Sequence, residues 1–77
     1  MAENLPSWEE RAKRVLKAEL KRADVSYQEL AKRLKKHGLA ETEASVANKL
    51  SRGTFAATFF LAALVALEVE SVSLEDI

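Results

Sequence analysis

The chain has no cysteine, one proline, two glycines and a single histidine in 77 residues. Each shortage excludes something. Without cysteine there is no disulfide, thiolate nucleophile or thiolate metal site, which fits a reducing compartment and removes the usual reinforcement of very small domains. A lone histidine, with no second one to share a metal, reads as a helix-terminal cation rather than a ligand or general base. The two glycines, Gly38 and Gly53, stand too far apart for a loop that cradles phosphate. The longest apolar run, Phe59 to Leu67, is nine residues, whereas a membrane-spanning helix needs about 20. The N-terminus is acidic (Glu3, Glu9, Glu10) and lacks the basic and then apolar pattern of a secretory leader. The expectation is a cytoplasmic protein that crosses no membrane.

Charge of both signs is abundant, 12 Lys and Arg against 12 Asp and Glu, and it cancels only globally. Residues 1–10 carry −3, residues 11–38 carry +7 and residues 39–77 carry −4. A polyanion would be drawn to one part of the molecule. Acids also precede bases by one helical turn (Glu9 and Lys13, Glu10 and Arg14, Glu29 and Arg33), the pattern of a solvated helix face laced with ion pairs.

Helix signals divide the chain. Ser7 with Glu10, and Ser26 with Glu29, have the spacing of capping boxes. Behind the first, Trp8, Ala12, Val15, Leu16, Leu20 and Ala23 share one side; behind the second, Tyr27, Leu30, Ala31 and Leu34 recur at helical spacing. Lys35, Lys36, His37 and Gly38 form a C-terminal signal. Thr42 is a candidate N-cap for a third helix closed by Gly53, with Val46 and Leu50 on one face and Ser45, Asn48, Lys49 and Arg52 on the other. A fourth helix, built on the Phe59 to Leu67 run, is apolar all round, as expected of a helix buried on every side. The tail supports either a short terminal helix or an extended segment. The spacing predicts one all-α domain over 1–77, a compact four- to five-helix arrangement with helices at about 8–23, 27–37, 43–52 and 57–68 and a short turn at 73–77.

Catalysis fails on inventory. No cysteine, second histidine or glycine-rich loop is present, Ser45 and Ser51 have no base or elbow motif beside them, and the adjacent pairs Glu9/Glu10 and Glu75/Asp76 point to different sides of a helix. The expectation is no enzyme and no small-molecule cofactor.

SYQELAKRL (26–34), NKLSRG (48–53) and FFLAALVALEV (59–69) resemble the helix-turn-helix core of the lambda-repressor and Cro-like regulators. More closely, WEERAKRVLKAELKR, YQELAKRL, NKLSRGTF and FFLAAL resemble a family of small bacterial proteins known only as a domain of unknown function, over about residues 8–67. The first resemblance implies a DNA-binding regulator whose third helix lies in the major groove. Three departures stand out: Tyr27 occupies a position usually held by Gln; the stretch from Leu34 to Val46 is longer than the usual tight turn, so either helix two or the loop is extended; and Glu41 and Glu43 lie at the start of the third helix, where negative charge suits the helix end but repels phosphate.

On that reading duplex DNA is the partner. Ser45, Asn48, Lys49 and Arg52 are candidates to read bases. Tyr27, Gln28, Lys32, Arg33, Lys35 and Lys36, with Lys13, Lys17 and Lys21 on helix one, are candidates to touch phosphate. Phe59, Leu61, Val65, Val69, Val72, Leu74 and Ile77 form a candidate homodimer interface, since so short a chain would leave part of that apolar surface wet. The competing reading is an adaptor or antitoxin-like module that docks on another protein through the apolar helix 57–68. Both readings share a core in which Trp8, Leu16, Leu30, Leu34, Leu50, Phe60 and Leu64 are buried together. Leu30→Ala is expected to cost about 2 to 5 kcal/mol; thermal melting checks this, and a variant that melts within a degree or two of wild type (about 4–8 °C per kcal/mol at this size) would show helix two to be misplaced.

Overall fold

Every helix starts where a local group closes its first turn. In the computed structural model, which describes residues 5–77, these are α1 (Trp8–Ala23), α2 (Tyr27–Lys36), α3 (Glu43–Arg52) and α4 (Ala57–Ala66), followed by one 3-10 turn at Leu74–Asp76. No strand forms among the described residues; Glu3, counted above with the acidic N-terminus, lies outside them. Ser7 and Ser26 accept from the backbone N–H of Glu10 and Glu29, both at 3.1 Å. Neither serine completes a box: Glu10 turns to Lys13 and Arg14, and Glu29 to Arg33, because bases one turn ahead compete for the carboxylates. The complete box is at α3, where Thr42 and Ser45 exchange side-chain and backbone bonds. No side chain caps α4 at Ala56. Phe55 instead stacks on Phe60, with ring centroids 5.8 Å apart, a hydrophobic staple across its first turn.

Three helices stop in the same way. Asp24, Gly38 and Glu68 adopt positive φ, and pairs of bonds close behind them: Asp24 N–H to Lys21 O and Val25 N–H to Leu20 O, Gly38 to Lys35 and Leu39 to Leu34, Glu68 to Val65 and Val69 to Leu64. These are Schellman motifs, and the residues that follow each turn, Val25, Leu39 and Val69, pack against the core. The stop at Gly38 leaves α2 one residue shorter than expected, and the unanticipated stop at Glu68 ends α4 at Ala66 rather than 68. Residues 37–42 are therefore loop, so the extra length between Leu34 and Val46 falls there and not in α2.

α3 and α4 each pack on both α1 and α2, and their axes turn by 118° between Arg52 and Ala57. All four helices feed one core: Leu16 and Leu20, Leu30 and Leu34, Val46 and Leu50, and Phe59, Ala63 and Ala66, with Leu67 beyond α4. Several expectations about this core are corrected. Trp8 is 69% exposed, because it opens α1 at the edge of the apolar stripe, where among the described residues no other helix covers it. Ala23 is exposed at the overhanging end of α1, and Phe60 and Leu64 are only half-buried. α4 is buried on one side, not all round: Leu61 and Val65 are 61% and 59% exposed. Two and six residues beyond buried Phe59, they fall on the opposite side of a helix with 3.6 residues per turn. No single helix is long and apolar enough to cross a membrane.

Gly53 joins α3 to α1. It ends α3 with φ +71°, and a Cβ there would run into the carbonyl oxygen of Glu9 and lie 2.9 Å from its carbon. Gly38, at φ +88°, has open space where its Cβ would stand. Gly53→Ala is expected to cost about 2 to 4 kcal/mol, combining left-handed strain with overpacking against backbone, whereas Gly38→Ala should cost about 1 to 2 kcal/mol from strain alone. Urea denaturation of the two variants checks this, and equal losses would contradict the close approach.

Candidate nucleic-acid interface

The polar stripe of α3 divides in two. Counted at about 100° per residue from buried Val46, Asn48, Arg52, Ser45 and Lys49 follow one another round the outer side of the helix, with Asn48 farthest from the core and Lys49 nearest it. The first pair points away from the core and is exposed; the second lies on the flank and is half-buried or engaged there. Glu41, in the loop before α3, holds that flank. Its side chain is only 11% exposed, and it accepts from Ser45 Oγ at 2.6 Å and from Lys49 Nζ at 3.1 Å to each carboxylate oxygen. The Lys49 ammonium also lies 5.4 Å from the centre of the Phe59 ring. Ser45 is occupied in addition by the Thr42 cap. Of the four candidates for base reading, then, Asn48 and Arg52 have side chains that make no hydrogen bond or ion pair among the described residues. Asn48 offers an amide with donor and acceptor side by side, and Arg52 a fork of donors. Nothing in the spacing of Ser45 and Lys49 separates them from that pair; Glu41, four residues before Ser45 and eight before Lys49, was the available signal.

The candidates for phosphate contact divide similarly. Lys32, Lys35 and Lys36 are exposed on α2 and, with Glu29, line one shallow depression. Gln28 is exposed, and Tyr27 is half-buried against the core. Arg33 is bound within the fold: Nε pairs with Glu29 at 3.1 Å and Nη1 donates to the Ala66 carbonyl at 3.1 Å, tying α2 to the end of α4. Lys13 donates to the Ser51 carbonyl at 3.2 Å and ties α1 to the end of α3, while Lys17 and Lys21 remain exposed. Among the candidates for self-association Phe59 is buried in the core, which removes it from any surface; Leu61, Val65 and Leu74 are exposed, and Val69, Val72 and Ile77 are half-buried. Among the described residues no cluster of three or more histidine and carboxylate side chains comes together to hold a metal ion.

Residues 8–72 match a family described as a domain of unknown function, DUF6471. The chain belongs to this family. No curated protein and no solved structure matches it. Within the DUF6471 domain the match takes in all four helices and both polar sets, those of α2 and of α3, and stops short of the 3-10 turn.

The Glu41 network is measurable by a double-mutant cycle. Glu41→Ala and Lys49→Ala are each expected to lower stability, with a coupling energy of about 0.5 to 1 kcal/mol for a partly exposed pair. Additive losses in chemical denaturation would mean that the carboxylate does not restrain Lys49.

Proposed function

We propose that this domain binds duplex DNA sequence-specifically as a helix-turn-helix regulator, with α3 in the major groove. The observation that carries the reading is the outward pair Asn48 and Arg52, exposed opposite Val46 and Leu50 on a helix whose flanking Ser45 and Lys49 are already engaged. An Asn amide matches the edge of adenine and an Arg fork that of guanine. The order α2, loop 37–42, α3 and apolar α4 supports the likeness to the lambda-repressor and Cro-like regulators, with a longer turn than theirs. Lys32, Lys35 and Lys36 would hold phosphates and set the register. Of the two carboxylates at the start of α3, where negative charge repels DNA, Glu41 is paired with Lys49 and Glu43 is exposed on the first turn. Such a regulator would act in the cytoplasm, on the nucleoid.

Binding to duplexes selected from a random pool tests this. Asn48→Ala and Arg52→Ala should each weaken the selected site by about 1 to 3 kcal/mol and relax sequence preference. Lys36→Ala should weaken all sequences about equally and flatten the salt dependence. A folded double variant, Asn48→Ala with Arg52→Ala, that binds selected DNA as tightly as wild type would overturn the assignment. A second reading, a protein-interaction module acting through α4, is favoured by exposed Leu61 and Val65; on that reading association would need no DNA and selection would enrich no sequence.

A further inference from the structure

Four large exposed apolar side chains, Trp8, Leu61, Val65 and Leu74, line a single groove of about 660 Å³ between α1, α4 and the C-terminal segment. No residue of α2 or α3 lines it. We propose that this groove is the two-fold interface of a homodimer.

The extent of the surface is the first argument. Trp8, an aromatic side chain of about 150–250 Å², is 69% exposed, and the smaller Leu61, Val65 and Leu74 are 61%, 59% and 78% exposed beside it in the same groove. A contiguous apolar patch of this kind marks an interaction site and supplies the apolar centre of an interface rather than its whole area. Charge identifies the occupant. Arg11 and Glu70 both line the groove, and among the described residues neither pairs with any acid or base. The Arg11 guanidinium lies 4.5 Å from the centre of the Trp8 ring, and its buried Nε has no hydrogen-bond partner among the described residues. A two-fold axis brings residue i of one copy to residue j of the other and j to i. One Arg11–Glu70 contact across the axis therefore makes two, and each copy supplies what the other lacks. The zero net charge of the chain leaves two copies no overall repulsion to overcome. The pairing leaves α3 of both copies uncovered, and it holds whether or not α3 reads DNA.

Sedimentation of the full chain from about 1 to 100 µM, the range that catches weak dimers, tests the proposal without any nucleic acid. The mass of two chains is expected, with a melting temperature that rises with concentration. Leu61→Glu combined with Val65→Glu should keep helical circular dichroism and give the mass of one chain, because both side chains are exposed in the single copy. Glu70→Arg alone should weaken association about 10-fold or more, and adding Arg11→Glu should restore it. Asn48→Ala with Arg52→Ala should leave the mass unchanged, which separates failure of the DNA reading from failure of this one. A single-chain mass throughout, a persistent dimer in the Leu61/Val65 variant, or no restoration by the charge exchange would overturn the proposal.

Discussion

The backbone of Gly53 lies against the carbonyl of Glu9 with no room for a side chain between them, and the presentation of α3 depends on that approach. It sets the end of α3 on the first turn of α1, and Lys13 fastens the same junction by holding the Ser51 carbonyl. With that end fixed and Val46 and Leu50 in the core, only one rotation of α3 about its axis is left. The face bearing Asn48 and Arg52 then points outward. Arg33 performs the matching task on the other side, reaching from α2 to the last carbonyl of α4. Two cations that charge pattern alone would assign to a polyanion thus serve as links between helices.

Glu41 gives α3 its second constraint. A polar stripe on a short helix would ordinarily be one solvated surface, but a carboxylate at the entrance draws Ser45 and Lys49 to one flank. The long loop 37–42 makes this possible, since it carries Glu41 back beside the helix that follows. Of the polar stripe, one amide and one guanidinium a helical turn apart face outward unengaged, beside the small exposed side chains of Ala44 and Ser51.

The fourth helix shows what packing leaves open. Its ten residues are apolar on nearly every side, so local sequence gives no preference for which face is inward. Packing against α1 and α2 uses Phe59, Ala63 and Ala66, and among the described residues no element lies over Leu61 and Val65. The C-terminal segment covers part of the gap with Val72 and Ile77 and leaves a groove.

Local signals determined the helices. Serine and threonine caps, apolar spacing and the two glycines mark α1, α2 and α3 closely, because capping and amphipathic periodicity act within a few residues. They failed at the end of α4, where Glu68 takes the left-handed turn without being a glycine, and at Trp8, whose place on the apolar stripe says nothing about whether another element covers it. Within the candidate site, the residues that share a polar face could be read from helical periodicity. Which of them are free could not be read from that face alone, because Glu41 holds Ser45 and Lys49 from the loop before α3, and Phe59 and the Ser51 carbonyl meet Lys49 and Lys13 only after the helices pack. Helix positions are decided by neighbours in the chain; the freedom of a side chain is decided by neighbours in space.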